Sequence, residues 1–398
     1  MASPFLPKTV EIDVDANSWK APAAIPAYLK TAGGRCSIDL GNALLMLGTL
    51  TMPNSLSPAS PALFWAWVRY YLAPTTSSDL RVTMDFADLD PHQKGILSDD
   101  LGVAISTQWL IDRLGGCQQI LGARDFVRQF PRLLRKKHKS KAKVGPSKTP
   151  DYLICDLTGK WHALECKGTQ SSRDYQRKSL KVAVAQKRAI QLVGSIKGEQ
   201  LAVALYIANA QVEGRTHMKV IDPDDPPLIR LTDNDADEID IKAQRLGVAR
   251  ALGMIGLNEL AVELSLPPDI DPESDLLRPS EASRVRAPRE TRYARASEQA
   301  RERTLTHFTH GSRRYEGREI HIELPPTATQ LPFRNVTIRQ GVIPELIDEV
   351  SAANFLVEDD VDRRIRPFSK GGPVVQESDY NRTAISYGDI LYSEAIWS

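Results

Sequence analysis

The sequence predicts an α/β fold: a core of helix, three strands, helix and strand, preceded by an N-terminal extension and followed by a C-terminal α+β region. Three observations predict it. Residues 98–114 carry apolar positions at helical spacing. Two short apolar runs flank a turn between 151 and 168. A second helical segment, 173–194, leads into a continuous apolar run at 199–209. Helical and strand periods alternating in this way are the mark of α/β architecture.

The first helix reads "SDDLGVAISTQWLIDRL", with Ser98 as N-cap, Asp99 and Asp100 in the first turn and "GG" at 115–116 as the stop. A strand is expected between it and the hairpin. The hairpin pairs "DYLIC" with "WHALEC" through "DLTGK", where Gly159 takes the position that needs positive φ. "RDYQRKSLKVAVAQKRAIQLVG" is helical and ends at Gly194; "EQLAVALYIAN" is bounded by polar turns and reads as a buried strand.

At 398 residues the chain is long enough for two or three domains. The expected boundaries are 1–94, an extension of unknown role; 95–222, the core; 223–310, a helical, Arg-rich connection; and 311–398, a small α+β domain. The acidic, Pro-containing stretch "DPDDPPLIRLTDNDADEI" at 222–239 marks the second boundary, and 240–264 is helical. With 42% apolar and 25% charged residues the composition is that of a soluble globular protein. The net charge of +1 names no partner.

Cys36, Cys117, Cys155 and Cys166 form no C-x-x-C pair, which argues against structural zinc and against a disulfide scaffold. A reducing cytoplasm is the expected compartment. The start of the chain lacks a basic region followed by an apolar core, so no secretion signal is expected. The most apolar stretches, 40–52 and 62–73, fall short of the ~20 residues of a membrane helix and are expected to be core. No membrane partner follows.

The hairpin carries charges at one end. Glu165 and Lys167 are two apart and share a strand face, while Cys166 points to the other. With the turn near 157–160, Asp151 at the start of the first strand comes beside the end of the second. Two carboxylates and a backbone carbonyl suit Mg²⁺, a hard cation that keeps several waters. With such a metal polarising a phosphoryl oxygen and a lysine beside the attacking water, these are the parts for cutting a phosphodiester.

Pro150-Asp151 followed by Glu165-Cys166-Lys167 resembles the PD-(D/E)XK nuclease superfamily, and the element order over 95–210, about a third of the chain, is similar to its restriction-endonuclease-like core. The resemblance implies a Mg²⁺-dependent endonuclease, with Mn²⁺ as substitute metal, acting on nucleic acid, DNA before RNA. It implies Asp151, Glu165 and the Cys166 carbonyl as metal ligands and Lys167 as the group that orients water and stabilises charge. Asp99 or Asp100 matches the helix acid that assists the metal in many members. Gln186, nineteen residues past Lys167, matches a supporting residue on the following helix. A homodimer, a gating partner protein and a bacterial defence setting are compatible with it. The alternative is a non-cleaving nucleic-acid-binding or assembly subunit on the same core. The bland reading is a surface hairpin with a Glu165–Lys167 salt bridge; it leaves the helix acids and the basic run unexplained.

That basic run, 128–148, holds nine Lys or Arg and no acid. It precedes the hairpin directly, so Arg132, Arg135, Lys136, Lys137, Lys139, Lys141 and Lys143 are the expected phosphate contacts. The arginines of 278–303 alternate with Glu and read as a salt-bridged helix or a basic connector. "GTQSS" at 168–172 is a polar loop beside the site. His307, His310 and His321 lack a well-placed further ligand, and no phosphate-binding Gly-rich loop or G-x-S-x-G is present.

Overall fold

The computed structural model describes residues 7–19, 25–30, 34–51, 70, 72–130, 149–187, 190–222, 229–267, 270, 277, 279–324, 333–354, 360–369, 373–388 and 390–398. The seven proposed phosphate contacts of the basic run, Arg132 to Lys143, lie outside the described residues, as does most of 62–73. The strands in chain order are β1 (Lys8–Val14), β2 (Arg35–Ile38), β3 (Cys117–Gly122), β4 (Tyr152–Asp156), β5 (Trp161–Thr169), β6 (Ile190–Leu192), β7 (Lys197–Tyr206), β8 (His217–Ile221) and β9 (Ile229–Leu231). They continue with β10 (Thr306–His310), β11 (Arg313–Glu323), β12 (Asn335–Val342), β13 (Val374–Ser378), β14 (Arg382–Tyr387) and β15 (Leu391–Trp397). The helices are α1 (Leu40–Thr51), α2 (Met84–Ala87), α3 (Pro91–Leu114), α4 (Ala123–Arg128), α5 (Arg173–Lys187) and α6 (Ala236–Met254), then α7 (Asn258–Ser265), α8 (Pro279–Val285), α9 (Arg289–Glu302), α10 (Pro344–Ala352) and α11 (Asp360–Ser369).

The fold is mixed α/β. A seven-stranded sheet runs β2-β1-β8-β7-β5-β4-β3, with β1–β8 and β5–β7 parallel and the other neighbours antiparallel. From α3 to β7 the chain passes through helix, three strands, helix and strand in the expected order, with two insertions: short α4 between β3 and β4, and β6 before the last strand, where α5 ends at Lys187 and not at Gly194 as expected because Ile190–Leu192 pair with β9. A six-stranded antiparallel sheet, β10-β11-β12-β15-β14-β13, follows the helical segment 236–302.

Four further expectations are corrected. The first helix starts at Pro91, not at Ser98. Asp90 caps it by accepting from the His92 and Gln93 amides, and Pro at the first turn loses no bond there. Ser98 is buried mid-helix, its hydroxyl donating to the Lys94 carbonyl at 2.6 Å. The central sheet crosses the boundary expected at 94, because β1 and β2 are two of its strands. The boundary expected at 222 is bridged too, since β9 pairs with β6. The 240–264 helix is two helices, α6 and α7, broken where Gly256 takes φ +91°. α1 is core as expected. One apolar cluster joins it to strands of both sheets, including Val10 and Leu201 from the first and Ile338 and Trp397 from the second.

Helix α3 lies against β5 at unusually close range. A Cβ on Gly102 would stand 2.9 Å from the Lys167 carbonyl, and one on Gly168 would stand 1.6 Å from the Ser98 carbonyl. Only glycine permits this approach. Gly168→Ala is therefore expected to lower the thermal midpoint by the equivalent of about 3 kcal/mol, the upper end of overpacking costs, because backbone on both sides has nowhere to move. Circular dichroism melts would check it; an unchanged midpoint would mean that helix and strand stand further apart.

Candidate functional site

The β4–β5 hairpin builds the site from its own register. Tyr152 pairs with Leu164 and Cys155 with Trp161, leaving residues 157–160 as the turn. Asp156 organises that turn: its Oδ1 accepts from the Thr158 and Lys160 amides, and Gly159 takes φ +84° as expected. The register sets Asp151 beside Glu165, at the middle of β5. Its Oδ2 accepts from the Cys166 amide at 2.8 Å, and its carbonyl accepts from the Ala123 amide at 3.1 Å. The expected convergence of Asp151, Glu165 and Lys167 is thus present.

Glu165 is fully buried, with 0% of its surface exposed, and its Oε1 accepts from the Lys167 ammonium. Its other oxygen, Oε2, has no hydrogen-bond partner. A surface salt bridge is excluded by that burial. The Lys167 side chain is 24% exposed and reaches the cleft above, so the lysine stands between Glu165 and solvent. Cys166 enters the site only through its backbone; its thiol is in the core on the opposite face.

The two candidate helix acids part company. Asp99 lines the same cleft as Lys167. The next residue, Asp100, accepts from the Tyr70 hydroxyl at 2.5 Å. Of the two, Asp99 is the one that lines the cleft. Gln186 lies near the end of α5, about three turns past Tyr175, and is not among the described residues that line the cleft. The helix turns its Tyr175, Lys178 and Ser179 to the cleft instead. Lys94 and Lys178 were not singled out in the sequence; only a helical-wheel comparison with Asp99 and the site loop would have pointed to them.

The cleft has a volume of about 740 Å³ and opens at the carboxyl ends of the parallel pair β5 and β7, between α3 and α5. Of the expected "GTQSS" loop, Gly168 and Thr169 are still in β5, paired with β7; with Gln170 and Ser171 they form part of the cleft wall, and Gln170 donates to the Ser98 hydroxyl at 3.2 Å. The electrostatics are those of crowded acids. Burial, then repulsion from Asp151, pushes the Glu165 carboxyl up to about 8, against the pull of Lys167. Burial also raises Asp151, with Asp99 adding to the effect against the pulls of the Cys166 amide and Lys167. Withdrawal from water at the cleft wall raises Asp99. Burial works against the Lys167 ammonium, but Glu165 and Asp151 outweigh it and hold the lysine above its ordinary value.

Among the described residues, no three or more of His, Cys, Asp and Glu are gathered as a ready metal cage. His307 pairs with Glu316, His310 stacks on Tyr392 and His321 pairs with Glu319, so the three histidines do not converge. At the near end of the basic run, Arg128 is buried between Asp125 and Glu281, which places it in the interior and not on a phosphate-binding surface. The Arg-rich segment forms two helices, α8 and α9, rather than one, and its Arg292 Nε reaches both oxygens of Glu263 on α7, at 2.9 and 3.1 Å, rather than an interspersed Glu. All four cysteines are free thiols, and among the described residues no helix is long and apolar enough to cross a membrane.

The raised Glu165 carboxyl has a measurable consequence. Folded protein holds that proton up to about pH 8 while an unfolded glutamate releases it near 4.5, so stability falls as pH rises between those values. In EDTA, wild type is expected to lose up to about 1.4 kcal/mol per pH unit more than Glu165→Gln across that window. Urea unfolding at several pH values would read it; parallel curves for the two proteins would rule it out.

Compared with known protein families, with curated proteins and with solved structures, the chain matches none.

Proposed function

We propose that this chain is a metal-dependent nuclease built on a restriction-endonuclease-like core of the PD-(D/E)XK kind. The observation that carries the reading is the meeting of Asp151, Glu165 and Lys167 at one end of one hairpin, below a cleft that also holds Asp99. The element order from α3 to β7 and the parallel β5–β7 pair support it.

The donor set fits a divalent cation. Two carboxylates repel each other in a buried place, and Glu165 Oε2 lacks a partner. Asp151 and Glu165 would hold Mg²⁺, or Mn²⁺ in its place, through oxygen ligands with waters completing the shell. When bound, the cation supplies Lewis acidity toward a phosphoryl oxygen. With a cation held there, the burial and mutual repulsion that raise both carboxyls would be offset, favouring their charged forms.

Lys167 acts as a charge. Its ammonium is held protonated by its acidic neighbours, so it offers donors to a phosphate oxygen and to the attacking water, and stabilises the charge that grows on the phosphoryl group. It is not poised to be a base. Asp99 orients the lysine and water from the α3 side. The polar stretch 168–171 offers N–H and hydroxyl donors to the backbone of the substrate. We propose nucleic acid, DNA before RNA, as the substrate, and the run 132–143 as a further phosphate contact. A reducing cytoplasm accords with the four free thiols.

The test is incubation of purified protein with plasmid, linear duplex, single-stranded DNA and RNA, in Mg²⁺, Mn²⁺ or EDTA. Cleavage should need metal and fall at least about a hundredfold in Asp151→Asn, Glu165→Ala and Lys167→Ala, the scale of losing a group that acts in the transition state. Asp99→Asn should slow cleavage, and Asp100→Asn should leave it as in wild type. Salt-sensitive binding without cutting of any substrate would sink the nuclease reading and favour a non-cleaving binding subunit. An equal loss in Asp100→Asn would reverse the assignment of the helix acid.

A further inference from the structure

The walls of the cleft carry features that phosphodiester chemistry does not use. On α5, Tyr175 and Val182 are 54% and 59% exposed, and both face the cleft. On α3, Gly95 sits in the second turn at the cleft, and a Cβ built there meets nothing within 4 Å. Packing therefore does not require glycine at that place, and the missing side chain leaves the α3 backbone open to close approach by a ligand. Lys94, beside Gly95, and Lys178, one turn from Tyr175, add positive charge on both walls.

Apolar surface, a bare helix wall and flanking cations are the two halves of single-strand recognition: a surface for base faces and charges for the backbone. A duplex keeps its base faces stacked and offers sugars and phosphates to such a wall. An exposed ring on the wall gains its stacking energy only from an unpaired base.

We infer that this cleft receives single-stranded nucleic acid, with an unpaired base laid on the Tyr175 ring and the adjoining phosphates held by Lys94 and Lys178. The inference rests on the nuclease reading and narrows its substrate. The bare backbone at Gly95 leaves room for the strand to pass along α3 towards Lys167.

Fluorescence anisotropy tests it in EDTA, so that cutting plays no part. The probes are a labelled oligodeoxynucleotide of about 16 nucleotides, the upper end of single-strand site sizes, the ribonucleotide of the same sequence, and the duplex of each. At least one single strand should bind more tightly than its duplex. Tyr175→Ala should weaken it about tenfold or more, and Tyr175→Phe, which keeps the ring, should stay within about twofold of wild type. Gly95→Leu should weaken binding while the melting midpoint holds or rises, which separates ligand loss from unfolding. Lys178→Ala should lower the salt dependence by about one counterion. Duplex binding equal to or tighter than single-strand binding, unchanged affinity in Tyr175→Ala, or no binding of any probe would overturn the inference. Metal-dependent cutting of duplex at the wild-type rate by Tyr175→Ala would overturn it and leave the nuclease reading standing. Single-strand binding lost in Tyr175→Ala, with no cutting by wild type, would do the reverse.

Discussion

The candidate site depends on one contact, the backbone approach of helix α3 to strand β5 at Gly102 and Gly168. Each glycine occupies a place where a Cβ would collide with main chain on the other element. Because neither side has a side chain there, Asp99 arrives beside Lys167 and the Gly168 amide, near enough for both to act on its carboxyl. The same approach makes α3 one wall of the cleft whose other wall is α5. Main chain against main chain leaves little room for adjustment, since packed interiors transmit displacement rather than absorb it.

Charge is arranged around that contact with an excess of acid. A contrasting buried acid, Glu263, nearly without exposure, places both oxygens on Arg292. Glu165 is equally buried, yet Lys167 takes one oxygen and leaves the other bare. Asp151 shares the same neighbourhood and raises the cost of a second negative charge. Buried acids this poorly compensated reduce stability, and such groups concentrate where a protein does chemistry.

Much of this was legible in the residues. Period-two and period-3.6 patterns placed the hairpin and the buried strand within a few residues and found both helices, because local periodicity reports which face is buried; their ends it missed, since α3 starts seven residues before Ser98 and α5 stops at Lys187, with Ile190–Leu192 drawn into β6. The turn at Gly159 followed from its chemistry, and alternation on β5 placed Glu165 and Lys167 together with Cys166 opposite. Where the reading slipped, a stronger local signal competed: Asp90-Pro91 capped α3 two turns ahead of Ser98. The place of Asp151 beside Glu165 followed from assuming a tight hairpin, which the register bears out.

By itself, then, the sequence determined the α/β class, the hairpin and its three charged residues, because these rest on neighbours close along the chain. Tertiary structure alone decided the rest. It chose Asp99 over Asp100, since two adjacent helix residues differ by about 100° and only packing says which direction meets β5. It turned Tyr175 and Lys178, not Gln186, to the cleft, since how far α5 runs past the end of β5 is a matter of three dimensions. It also joined residues 8–38 to the central sheet, because strand pairing between segments some two hundred residues apart is written in no local pattern.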